Sequence, residues 1–254
     1  MILAIDIGNT HTVIGCCRDG EILFRETLST AASATALEYA ALIRTALELN
    51  DCDPKNIHGG IISSVVPSLT GTVKEAVRRL SGVSPMVVGP GIKTGLSIMI
   101  DDPAQLGSGM VVNAAAGLKN YPLPLIIIDM GTATTLSVID GKGTYQGGMI
   151  VPGLKVSLDS LVNSTSQLPR IALEPPRRII GKNTVECLRS GVLYGCAAMI
   201  DGLIDRINGE MGAECSVVAT GDAAGTVIPL CRSSISIDRD LPLKGLMLIY
   251  GKNQ

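Results

Sequence analysis

The sequence predicts an α/β chain made of two copies of one plan. Three observations carry this. Strand-like apolar runs alternate with helical spacing along the whole length. A β-rich segment ending in Asp-x-Gly occurs twice. A single offset of 123 residues superposes the two copies, aligning Ile5 with Ile128, Asp6 with Asp129, Gly8 with Gly131, Thr12 with Thr135 and Gly20 with Gly143.

Each copy reads as a hairpin followed by a third strand. Leu3-Ala4-Ile5-Asp6-Ile7-Gly8-Asn9-Thr10-His11-Thr12 leads into a second run at 12–16, and Ile126 to Thr135 leads into one at 135–139. Turns follow at Arg18-Asp19-Gly20 and at Asp140 to Gly143. Third strands are expected over 21–28 and 144–150. Beyond the first hairpin, Leu37, Ala40, Ala41, Ile43 and Leu47 give a helix over 34–50. A strand over 60–66 is broken by Pro67, a helix covers 70–80, and Met86-Val87-Val88 is a strand. In the second half, 184–209 reads as a long helix rich in small residues, 216–221 as a strand ending in a turn, and 243–250 as a closing helix. The Pro-rich patch 169–176 is a surface loop.

Composition excludes several function classes. The 254 residues are 46% hydrophobic and 17% charged, too apolar for a disordered chain. The net charge of −2 offers no basic field for nucleic acid, and one Phe, five Tyr and no Trp offer few stacking platforms. No uninterrupted run of about 18 apolar residues argues for a membrane span, and no secretory leader pattern opens the chain. Seven scattered Cys without a CxxC, and only two His, speak against zinc and for a reducing compartment, so a cytoplasmic location is expected.

The chemistry is expected in the glycine-threonine turns. Glycine lets backbone approach a ligand, and Asn9, Thr10 and Thr12 supply donors. Successive amides in such a turn form an anion nest, which a neighbouring carboxylate opposes unless a cation lies between. Asp6 as a Mg²⁺ ligand resolves that conflict. Two such hairpins make a clamp for a polyphosphate, and Val217 to Gly221 fits a strand-to-loop element bordering a nucleotide base.

As a set, these segments resemble the actin and sugar-kinase superfamily, and more narrowly the type III pantothenate kinases. The residues are Asp6 to Thr12, Ser63-Ser64-Val65-Val66-Pro67, Asp129 with Gly131 to Thr135, Gly147-Gly148, Pro152-Gly153-Leu154, Gly181-Lys182-Asn183-Thr184, Ser190-Gly191, Ala219-Thr220-Gly221 and Leu243 to Leu246. The resemblance spans essentially the whole chain. It implies two duplicated RNase H-like domains around an ATP cleft, divided as 1–118 and 119–254, and ATP-dependent phosphorylation of pantothenate to 4′-phosphopantothenate in coenzyme A biosynthesis. By position it implies ATP contacts from Asp6, Ile7, Gly8, Asn9, Thr10, His11, Thr12, Val13, Gly131, Thr132, Thr220 and Gly221. It further implies magnesium at Asp6, a monovalent cation (potassium or ammonium) at Asp129, pantothenate at Thr184, and a homodimer.

The match breaks in the substrate segment. Where the family reads aromatic-x-Asn-Pro and then Gly-Ala-Asp-Arg, this chain has Ile100-Asp101-Asp102-Pro103, then Gly107-Ser108-Gly109-Met110. Gly109 stands at the family's catalytic Asp, Met110 at the Arg beside the substrate, and Asp222 at the second Gly of Thr-Gly-Gly. Ile100, Gly107, Ser108, Gly109 and Met110 are the expected substrate-binding positions. Asp101 and Asp102 are the candidate substitute bases. Two rival readings stay open: an ATP-binding paralogue or regulator with weak or no kinase activity, and a kinase for a related small alcohol lacking a carboxylate.

Overall fold

The computed structural model describes all 254 residues, Met1–Gln254. The chain forms β1 (Ile2–Ile7), β2 (His11–Arg18), β3 (Glu21–Ser29), α1 (Ala36–Leu49), β4 (Gly59–Ser64) and α2 (Pro67–Ser81). Two short strands follow, β5 (Met86–Val87) and β6 (Ser97–Ile98), and then α3 (Ser108–Asn120). The second half contains β7 (Leu125–Met130), β8 (Ala133–Ile139), β9 (Thr144–Pro152), α4 (Leu154–Asn163), α5 (Thr184–Met211), β10 (Ser216–Thr220), α6 (Ala224–Val227) and β11 (Ser236–Ile237). Helix α7 (Leu241–Lys252) closes the chain.

The chain divides into two compact units, Met1–Asn120 with Asp240–Gln254, and Tyr121–Arg239. A division into 1–118 and 119–254 therefore misplaces the last segment. Helix α7 buries Leu243, Leu246 and Ile249 with Ala4, Ile61, Val112 and Ala115 of the first unit. A helical pattern reveals an apolar face but not which sheet that face covers.

The duplication is visible in the topology. The first sheet has the order β3-β2-β1-β4-β5, and the second unit contributes the order β9-β8-β7-β10-β11. In both, a central strand pairs antiparallel with the next strand and parallel with a later one (β1 with β2 and β4, β7 with β8 and β10). A register irregularity recurs at Cys16/Cys17 and at Val138/Ile139.

Alternation along β1 fixes what each face meets. Leu3, Ile5 and Ile7 point toward the core shared with Tyr39, Ile43 and Leu47 of α1 and Leu69, Val73 and Val77 of α2. Ala4 points the other way, into the core shared with α3 and α7. Gly245 of α7 lies against the Val112 backbone, where any Cβ would collide with the Val112 carbonyl, so the two helices approach closely. Helix α1 begins on a reciprocal capping box between Thr35 and Glu38.

In the second unit, Ile126, Ile128, Met130, Leu136 and Val138 pack against Leu193, Ala197, Ile200, Ile204 and Ile207 of α5. By length and composition alone α5, 28 residues with a mean hydropathy of 1.3 over its best window, could cross a membrane. Its buried residues recur at helical spacing and face this core.

Candidate functional site

The first turn is held by its own backbone. The Gly8 amide donates to the His11 carbonyl at 3.0 Å, closing a four-residue connection. A Cβ on Gly8 would stand 2.8 Å from that oxygen, so only glycine fits without a shift. Thr30, just past β3, braces the turn from the side. Its amide donates to the Thr10 carbonyl at 2.9 Å, and its hydroxyl lies 2.8 Å from the Gly8 carbonyl and 2.9 Å from the Thr12 hydroxyl. Asn9 and Thr10 are exposed at the tip, and His11 and Val13 are half-buried. Two expected ATP contacts turn inward instead. The Ile7 side chain is in the core, and its carbonyl accepts from Val65 at 3.0 Å. Thr12 is fully buried and spends its hydroxyl on Thr30.

Asp6 is on the α3-facing side of β1, opposite Ser63 in the β1–β4 register. Burial pushes its carboxyl above the usual carboxylate range, and a hydrogen bond from Ser63 partly offsets this. A desolvated carboxylate of this kind suits a cation. No cluster of three or more His, Cys, Asp or Glu forms a cage. That fits Mg²⁺, which commonly takes one or two carboxylates together with substrate phosphates.

The substrate segment leads into α3. The Asp102 carboxylate accepts from the Ala104 amide at 3.1 Å and from Gln105 Nε2 at 2.9 Å, capping the 3₁₀ turn Pro103–Gln105. It is thus already committed, while Asp101 is exposed. Ile100 is half-buried just ahead of that turn, and Gly107 accepts from the Val111 amide at 3.1 Å. Ser108 is the first residue of α3, and Gly109 and Met110 follow in its first turn. Nothing lies within 4 Å of a Cβ placed on Gly109. The position therefore has room for the carboxylate it lacks. Met110 is half-buried and carries no charge.

In the second unit the turn is one residue shorter. The Gly131 amide donates to the Ala133 carbonyl at 3.1 Å. Ile7 pairs with Thr12, but Met130 pairs with Thr134. The structural counterpart of Thr12 is therefore Thr134, not the Thr135 that the sequence offset suggests. Gly153 takes the place of Thr30, its amide donating to the Thr132 carbonyl at 3.1 Å. A side chain there would run into the Gly131 and Thr132 carbonyl oxygens. Thr134 is 1% exposed and its hydroxyl has no partner. Thr132 is exposed.

Asp129 faces Thr220 in the β7–β10 register, as Asp6 faces Ser63. Gly221 has φ +90°, and a Cβ there would meet the Met130 amide nitrogen at 2.6 Å and Asp129 Oδ1 at 2.8 Å. The Thr220-Gly221 loop thus passes directly over the end of β7. Thr220 itself is buried, and Asp222 is exposed. Thr184 is exposed in the first turn of α5, behind the cap that Asn183 makes with the Glu186 amide at 2.9 Å.

Sequence reasoning missed α3 and α4. Gly109, Gly117 and the Ala114-Ala115-Ala116 run blur the apolar stripe of α3. The signal available was Val111, Val112 and Ala115 at helical spacing behind a Pro103 turn.

A family model described as type III pantothenate kinase matches residues 2–206. The type III pantothenate kinase of an Exiguobacterium species is 40% identical over 254 residues, with all of both chains covered. This chain belongs to that family. Among solved structures, a protein described as a conserved Baf-family transcriptional activator from Campylobacter jejuni matches with TM-score 0.58 at 18% identity, covering 99% of this chain and 98% of that one. The activator of 2-hydroxyisocaproyl-CoA dehydratase from Clostridium difficile, solved with bound ADPNP, matches with TM-score 0.57 at 13% identity over 99% and 94%. The fold is that of the actin-like ATPases and sugar kinases.

Proposed function

We propose that the protein binds ATP with Mg²⁺ at the Asp6 turn and transfers the γ-phosphoryl group to the hydroxyl of pantothenate. The observation that carries the nucleotide half is the repeated turn, glycine-closed and braced, with a half-buried carboxylate facing a hydroxyl on the neighbouring strand in each unit. Mg²⁺, when bound, neutralises charge building up on the phosphates. Asp6 would hold it, and the exposed donors of Asn9 and Thr10 would meet phosphate oxygens. Asp129 would take the monovalent cation and Thr184 would contact pantothenate. The reading carries with it a homodimer in the cytoplasm.

Gly109 sets the expected rate. Glycine cannot accept the substrate hydroxyl proton, and a positioned base contributes roughly 10²–10⁴. Phosphoryl transfer has a loose transition state, in which positioning and charge neutralisation do most of the catalysis. A slow kinase is therefore the outcome expected of this site. Gly109 and Met110 together also favour a second reading, a nucleotide-binding relative with little or no kinase activity. Met110 cannot pair with a carboxylate, and so is compatible with a related alcohol that has none.

A coupled ADP-release assay with pantothenate, Mg²⁺ and potassium, run beside calorimetric titration of Mg-ATP, separates the readings. Pantothenate-dependent ADP release supports the kinase. Mg-ATP binding without turnover selects the second reading, and absence of Mg-ATP binding removes both.

A further inference from the structure

Three neighbouring parallel strands of the second unit end on the same side. Strand β10 runs parallel to β7 and to β11. Their carboxyl ends carry Asp129, Thr220 with Gly221 and, two residues past β11, Arg239. In open α/β sheets, ligands are taken outside the carboxyl ends of the strands. Asp129 and the Thr220-Gly221 loop are expected ligand contacts from the sequence, whereas Arg239 has no assigned part.

The backbone leading to Arg239 is fixed. The Asp238 amide donates to the Ala219 carbonyl at 2.8 Å, which carries the β10–β11 ladder one step beyond the strand. The Asp238 side chain is buried and accepts from the Tyr121 hydroxyl at 3.0 Å. Alternation then turns Arg239 the other way, to the exposed side that Ile237 takes two residues earlier. Its guanidinium reaches across to α6, where a Cβ on Gly225 would stand 3.1 Å from Nη2. The loop beneath is itself held, since the Ala223 amide donates to the Met130 carbonyl at 3.2 Å and Ala224 is fully buried. Exposed at its tip, the guanidinium makes neither an ion pair nor a hydrogen bond within the chain.

What this arrangement offers is a face. A guanidinium is planar and weakly hydrated, and it attracts aromatic rings laid over its plane. The exposed Ile237 side chain on the same side adds apolar surface. Gly221 packs on the end of β7, where the Gly131-Thr132 turn begins, while Gly225 has only Arg239 beside it. Along the loop the order is therefore turn, Gly221, Arg239, which matches phosphate, ribose and base. We infer that Arg239 is a nucleotide-binding residue that lays its guanidinium on the face of the purine base, and so favours ATP over a bare polyphosphate. This rests on the proposed binding of ATP.

The test compares wild type, Arg239→Ala and Arg239→Lys in their affinity for the magnesium complexes of ATP, UTP and inorganic tripolyphosphate. Each is read by displacement of a ribose-labelled fluorescent ATP analogue. Arg239→Ala should weaken ATP roughly three- to tenfold, the worth of a cation–ring contact at a partly exposed site. UTP, with the smaller ring, should lose less, and tripolyphosphate, with no ring, should be unchanged. Arg239→Lys keeps the charge without the plane, so it should recover only part of the loss. Equal losses for all three ligands, with full recovery in Arg239→Lys, would make Arg239 a phosphate contact and overturn the inference. ATP affinity left intact in Arg239→Ala removes the inference alone. If the wild type binds no Mg-ATP, the proposed function falls and this inference with it.

Discussion

The Asp6 turn and the Asp129 turn come from one pattern and are held by different means. Around Asp6, a four-residue turn is braced by the side chain of Thr30, which reaches the Gly8 carbonyl and the Thr12 hydroxyl. Around Asp129, a three-residue turn is braced by backbone alone, because Gly153 stands where Thr30 stands and a side chain there has no room. The exchange leaves the Thr134 hydroxyl buried without a partner. The first copy keeps polar side chains around a desolvated carboxylate, which suits a metal. The second draws backbone close, through Gly153 and Gly221, which suits contact with a flat or phosphate-bearing ligand.

The widest separation between the copies should come from their carboxylates. Asp6→Asn should weaken Mg-ATP binding by roughly 100-fold or more, since a metal-held charge is worth several kcal/mol. Asp129→Asn should spare Mg²⁺ dependence and change the response to potassium. Calorimetry over a Mg²⁺ and potassium series reads both, and equal losses of Mg²⁺ dependence would erase the distinction.

Gly153→Ala should be the next largest effect. The collision is with backbone oxygens, which cannot rotate away, so destabilisation of about 2–3 kcal/mol is expected in urea unfolding. Thr30→Ala should cost about 1 kcal/mol, the loss of a side-chain brace. A Gly153→Ala protein as stable as wild type would mean that the second turn is not backbone-packed as described.

The smallest effect is the sharpest in sign. Thr12→Val removes a hydroxyl that bonds Thr30 and should cost roughly 1 kcal/mol. Thr134→Val removes a buried hydroxyl that bonds nothing, and should be neutral or stabilising by up to about 1 kcal/mol. The same substitution at equivalent places should lower the urea midpoint at Thr12 and leave it unchanged or raise it at Thr134. Equal shifts would show that the Thr134 hydroxyl is satisfied after all.

What could be read in the sequence was periodic or repeated. The hairpins, their third strands and the spans of α1, α2 and α5 followed from apolar spacing and turn residues, and the duplication followed from one offset. The one-residue shortening of the second turn was hidden, because Thr134 and Thr135 are adjacent and chemically alike. Only the strand register says which of them answers Thr12. The inward orientation of Ile7 and Thr12 was equally invisible in a motif treated as a continuous contact segment, although alternation along β1 and β2 implies it. Helix α3 escaped because its small residues serve close packing against α7, a contact about 130 residues away in sequence.

On the proposed reading the nucleotide-binding residues are in place, and the part that is missing is the base at position 109. Gly109 lies in the first turn of a regular helix with open space beside it, so Gly109→Asp places a carboxylate there without strain. The direct test is pantothenate-dependent ADP release by wild type and Gly109→Asp under identical Mg²⁺ and potassium. A slow wild type and a kcat gain of roughly 10²–10⁴ in the variant are expected, with Mg-ATP affinity unchanged. A wild type already turning over in the ordinary kinase range of about 1–100 s⁻¹ would contradict it. So would a pair of proteins that both bind Mg-ATP and release no ADP.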